Sequence, residues 1–130
     1  MWTSSIIRPI VAQSSFCLSR MASTTAIAPK LHILHYDYVE NVVEKRKPYR
    51  EAHLAFINKQ VESGNVILGG AAGNPPSEAF LIFRNLSSKQ IEEVAQRDPY
   101  VVHGIARKYS VKPYMAVVGD DLLKNDLIKI

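Results

Sequence analysis

Three polar residues stand where the local pattern asks for apolar ones: Arg50, His53 and Asp98. Arg50 and His53 lie in Pro48-Tyr49-Arg50-Glu51-Ala52-His53-Leu54, and Asp98 opens Asp98-Pro99-Tyr100. At 100° per residue, Phe56, Tyr49, His53, Ile57, Val61 and Leu54 fall on one broad arc, and Arg50 joins it between Ile57 and Val61. Asp98 follows the inward stripe Ile91, Val94, Ala95 on the same face, at i+7 from Ile91. A carboxylate there opposes the helix macrodipole. Unpaired charge is costly to bury, so each group needs a partner or a polar cavity. A histidine and a carboxylate turned inward are parts from which a proton-transfer site can be built. The same residues also fit a structural reading, with His53 a satisfied core histidine and Asp98 bound to turn amides around Pro99.

The other candidates are weaker. His32 and His35 are three apart on a strand, face opposite ways and cannot share a metal. His103 sits beside Gly104 in a loop-like stretch. Gly69-Gly70-Ala71-Ala72-Gly73 lacks the Lys-Ser/Thr of a phosphate loop and the spacing of a dinucleotide fingerprint. Lys45-Arg46-Lys47 reads as a solvated basic run. No cofactor or metal is expected.

The elements that must position these residues are legible in order. Leu31 to Tyr38 reads as a strand, and residues 48 to 63 as a helix with Pro48 in its first turn and Gly64 past its end. Val66 to Ala71 and Ala79 to Phe83 read as strands around an Asn74-Pro75-Pro76-Ser77 turn. Ser87 to Arg97 is a helix opened by the capping box Ser87-x-x-Gln90. Arg107 to Val118 is a fourth strand. The order βαββαβ predicts an α+β, ferredoxin-like fold with a four-stranded antiparallel sheet. Its strands are apolar on both faces, yet two helices cover only one. A second copy, sheet against sheet, is the economical cover, so the expected assembly is a homodimer.

Composition bounds the rest. The first thirty of 130 residues contain no Asp or Glu, three basic residues (Arg8, Arg20, Lys30) and many hydroxyls. Residues 1–30 are expected to be a mitochondrial transit peptide, with a secretory signal and a plain disordered leader as rivals. Met21 offers a second start and a cytosolic form. The formal charge of +4 falls to about +1 after residue 30, which leaves no basic patch for nucleic acid. No apolar run reaches membrane-spanning length. The single cysteine, Cys17, lies in the leader. Residues 31–118 then form one domain, and 119–130 an apolar tail containing Leu122, Leu123, Leu127, Ile128 and Ile130.

Taken together, several motifs resemble one known family. They are His35-Tyr36-Asp37-Tyr38-Val39, Glu44-Lys45-Arg46, Pro48-Tyr49-Arg50-x-x-His53-Leu54, Gly69-Gly70-Ala71, Asp98-Pro99-Tyr100 with Gly104, and Ser110-Val111-Lys112-Pro113-Tyr114. Their order and spacing are similar to the YciI-like (YCII-related) family over residues 31 to about 118. The resemblance implies a dimeric α/β-barrel of ferredoxin-like subunits, and it puts His53 and Asp98 at the family's proposed active-site pair. One relative in this group eliminates chloride from a chlorinated hydroxyquinol, and muconolactone isomerases share the architecture. Gly70-Ala71 stands where many members have Gly-Pro, and Glu78 where many have Gly.

The resulting expectation is a small cofactor-independent enzyme acting on a small cyclic or phenolic substrate by elimination, isomerisation or hydrolysis. His53 would be general base and then acid, and Asp98 would orient it. Arg50 would hold a carboxylate or phenolate, and Tyr100 would donate a hydrogen bond. The rival is a non-catalytic dimer that binds a small acidic ligand or a protein. An RNA-binding sheet of the same strand order is disfavoured, because Phe80-Leu81-Ile82-Phe83 lacks the basic-Gly-aromatic opening.

Overall fold

The computed structural model describes residues 31–119. The expected leader (1–30) and nearly all of the expected tail (119–130) lie outside the described residues. The elements are β1 (Leu31–Tyr38), α1 (Val42–Lys45), α2 (Arg50–Glu62), β2 (Val66–Ala72), β3 (Glu78–Arg84), α3 (Ser88–Arg97), α4 (Pro99–Val102) and β4 (Ala106–Tyr114). The four strands form one antiparallel sheet in the order β2-β3-β1-β4. This is the α+β, ferredoxin-like arrangement.

Alternation along the strands sets the layers. His32, Leu34, Tyr36 and Tyr38 of β1 pack inward with Ala79, Leu81 and Phe83 of β3. Ile57 of α2, Ile91, Val94 and Ala95 of α3, and Tyr100 of α4 close over them. Ile33, His35, Phe80 and Ile82 point to the opposite face, which no helix of the described residues covers.

Local chemistry explains the helix ends. Gly64 takes φ +79, and the bonds Asn65 N–H to Gln60 O and Gly64 N–H to Val61 O close α2 in a Schellman cap. The capping box of α3 is complete: Ser87 Oγ accepts from the Gln90 amide, and the Gln90 side chain accepts from the Ser87 amide.

Three expectations need correction. The fourth strand ends at Tyr114 rather than Val118; among the described residues it pairs with β1 alone, and Leu31, the first residue of β1, lies opposite Tyr114. Pro99 does not simply end a helix. It occupies the first turn of α4, a short helix absent from the sequence reading. The arc of α2 is only partly buried. His53 and Ile57 are inside, whereas Arg50, Leu54 and Val61 are exposed. A register shift in β2 also turns Leu68 to pair with Ile82 instead of following Val66 inward.

Candidate functional site

Asp98 is the joint of the site. Its backbone caps the end of α3 and begins α4. Its side chain therefore sits at the positive end of a helix, where a carboxylate is favoured, not only at the negative end of α3. The residue is fully buried. Oδ1 accepts from the Tyr100 amide at 2.9 Å and contacts His53 Nδ1 at 2.7 Å. Oδ2 accepts from the Tyr36 hydroxyl at 2.9 Å. These contacts join β1, α2 and the α3–α4 junction around one carboxylate.

The network fixes protons as well as positions. Burial first, then the charge and hydrogen bond of Asp98, push the Tyr36 hydroxyl far above the ordinary tyrosine range, so it remains a donor. The Tyr100 amide is also a donor. With both oxygens of Asp98 acting as acceptors, His53 carries a proton on Nδ1, and in the neutral ring Nε2 is the nitrogen with the lone pair. This is the tautomer that a general base requires.

Ring packing holds the imidazole in place. Tyr100 lies on His53 with centroids 3.7 Å apart and planes 4° apart. One turn earlier, at the N-cap of α2, Tyr49 stacks on His103 at 4.1 Å and 10°. Tyr49 and His53 are an i,i+4 pair, and Tyr100 and His103 an i,i+3 pair, so two stacks tie α2 to α4. His103 is exposed, as a loop residue would be, but it is a stacked helix cap rather than a free side chain. The Tyr100 hydroxyl is buried and has no hydrogen-bond partner among the described residues.

A cavity of about 510 Å³ opens beside the pair. His53, Tyr36, Tyr38, Tyr100, Arg46 and Arg50 line its polar part. Burial, followed by the neighbouring Tyr100 and set against the charges of Arg46 and Arg50, pushes Tyr38 up to about 12. Neither guanidinium has a carboxylate partner among the described residues. Arg50 thus stands at the cavity wall rather than in the core. Arg46, read from sequence as part of a solvated run, stands there too. The wall at β2 is kept thin by Gly69, where an added Cβ would meet Leu81 Cγ at 3.2 Å.

All four residues singled out from sequence, Arg50, His53, Asp98 and Tyr100, therefore meet at one place. Sequence reasoning missed Tyr36, Tyr38 and Arg46. The signal for Tyr36 was available: a tyrosine on the inward face of a central strand needs a partner for its hydroxyl. His35 belongs elsewhere, stacked on Phe80 on the open face with Nε2 3.1 Å from Glu78. Among the described residues no group of three or more His, Cys, Asp or Glu is gathered to hold a metal, and no helix is long and apolar enough to cross a membrane.

The family model of the YCII-related domain matches residues 31–115. The chain belongs to this family. In the YCII-related family reading, the match runs from the first residue of β1 to just past the end of β4, and so contains the whole site. A solved structure of similar fold is 5-chloro-2-hydroxyhydroquinone dehydrochlorinase from Burkholderia phenoliruptrix, in complex with 2,5-dihydroxybenzoquinone. The TM-score is 0.57 at 19% identity, over 65% of this chain and 93% of that one. At that identity the likeness concerns the fold alone. No curated protein matches the chain.

Proposed function

We propose that this YCII-related protein is a small-molecule enzyme that works without a cofactor by proton transfer at His53. His53 Nε2 takes a proton from a cyclic or phenolic substrate and returns it later. Asp98 orients the ring and stabilises its charged form. Arg50 holds the substrate's carboxylate or phenolate, and the Tyr100 hydroxyl donates to a substrate oxygen. The reaction class is elimination, isomerisation or hydrolysis. A mitochondrial site of action and a homodimer formed through the open sheet face belong to the same proposal.

The observation that carries this reading is the 2.7 Å contact between His53 Nδ1 and a fully buried Asp98, beside a cavity lined by two arginines that have no carboxylate partner among the described residues. A satisfied core histidine needs no cavity. The fold neighbour named as a dehydrochlorinase lends support, since it is an enzyme of small hydroxylated rings on the same frame. A positioned base is worth about 10²- to 10⁴-fold, enough for an activated carbon acid.

Proton transfer can be tested before the natural substrate is known. Hydroxylated and chlorinated quinols would be incubated with the protein in D₂O, with carbon-bound deuterium followed by NMR and chloride release followed in parallel. The wild type should accelerate exchange or elimination, and His53→Ala should not. Equal rates from both proteins would remove His53 from the chemistry and leave the binding-protein reading, which the two arginines of the cavity wall favour.

A further inference from the structure

We propose that the ligand of this cavity is amphipathic, with an anionic ring or carboxylate held by Arg46 and Arg50 and an apolar substituent running along α2 past Leu54 and Ile57 to Val61. The inference deepens the reading of His53 as the reacting base and takes the same cavity as its site. Three observations carry it.

The first is volume. A cavity of roughly 150 Å³ is enough for a benzene-sized ring. This one is about 510 Å³, so a single hydroxylated ring leaves most of it empty. The second is polarity along one wall. Arg50, His53, Leu54, Ile57, Asn58 and Val61 all line the cavity from the same helix face. The charged and titratable members come first, and the wall beyond His53 is apolar except for Asn58. From His53 to Val61 is about 12 Å at 1.5 Å per residue. Val66 and Leu81 continue the apolar lining across the cavity. The third is exposure. Leu54 is 42% and Val61 48% exposed, large apolar side chains left open on the wall of the cavity that also holds Arg46 and Arg50. A bound apolar chain would cover them while its anionic end meets the guanidiniums.

The test uses binding rather than turnover, on the full chain. The probes are benzoates carrying linear 4-alkyl chains of zero to six carbons, with the matching benzyl alcohols as uncharged controls, titrated by calorimetry. Affinity should rise about three- to fourfold per methylene over the first several carbons. Arg46→Gln should weaken every benzoate by a similar factor and leave the alcohols unchanged. Leu54→Ser and Val61→Ser, at exposed positions, should flatten the chain-length series and keep the unsubstituted benzoate. His53→Ala should preserve the series. Loss of catalysis in that variant with the series intact would separate the two proposals, and so would a steep series in a protein that catalyses nothing. A flat series in the wild type overturns the inference. If, in addition, Leu54→Ser and Val61→Ser lower the mass seen by light scattering, the strip is a contact between subunits instead.

Discussion

The Tyr100 ring lies flat on the His53 imidazole, with centroids 3.7 Å apart, and the amide of the same Tyr100 binds the carboxylate that holds His53 Nδ1. One residue therefore fixes both the plane of the imidazole and the position of its partner. A four-residue helix thus ties the parts of the site together, and they are not independent.

Double-mutant analysis should expose that dependence. His53→Ala and Asp98→Asn should each lower kcat by about 10²- to 10⁴-fold. The double variant should lose little more, because the pair acts as a unit. Additive losses in steady-state kinetics would instead assign them separate roles.

Two tyrosines should respond in opposite ways to loss of the hydroxyl. Tyr36→Phe removes a buried hydrogen bond to a charged acceptor and should cost about 1.5–3 kcal/mol in urea unfolding. Tyr100→Phe removes a buried hydroxyl that has no partner, so stability should hold or rise by about 1 kcal/mol. Ligand affinity should fall in the Tyr100 variant if its hydroxyl serves the substrate.

Acid titration should find one surface pair. Arg107 donates to both oxygens of Asp37, at 2.9 and 3.2 Å, and holds that carboxyl below the usual aspartate range. A carboxyl lowered on folding contributes stability that is present above its unfolded pKa and is lost as pH falls through the folded one. In Arg107→Gln, the Asp37 pKa followed by NMR should rise back toward the ordinary aspartate range. The stability difference from wild type should vanish once the pH is below the wild-type Asp37 pKa. High salt should shrink it, because both groups are solvated.

The open sheet face gives the assembly test. Ile82 and Phe80 sit there, Phe80 still 37% exposed. Ile82→Asp should halve the mass seen by light scattering at micromolar concentration, since burying an unpaired charge costs several kcal/mol. A wild-type monomer would end the dimer proposal.

Glycine substitutions should separate backbone strain from crowding. Gly104 has φ +74 with open space around an added Cβ, so Gly104→Ala should cost only about 1 kcal/mol. Gly73 has φ +96, and its added Cβ would lie 2.9 Å from Pro75 O. Gly73→Ala should therefore lower the melting temperature clearly more.

Much of this was legible because it is local. The position of each strand along the chain, the Ser87 cap and the Gly64 cap each depend on a few neighbouring residues. His53 and Asp98 were visible because they break apolar stripes. The hidden parts are non-local or depend on register. No local rule announces that Asp98 starts a second helix while ending the first, or that a shift in β2 turns Leu68 away from Val66. Arg46 was missed because a basic run looks solvated until the fold brings a cavity to it. Arg50 was read as inward because the arc of α2 is broad, but only its His53–Ile57 centre meets the core.

Asp98 ends the helix that carries Ile91, Val94 and Ala95, all buried against the sheet. The aim of the imidazole is thus inherited from how α3 is seated. A core change such as Ile91→Val, at a residue that does not line the cavity, would tilt the carboxylate and detune the base. In this fold the fidelity of packing and the fidelity of proton transfer run through a single backbone joint.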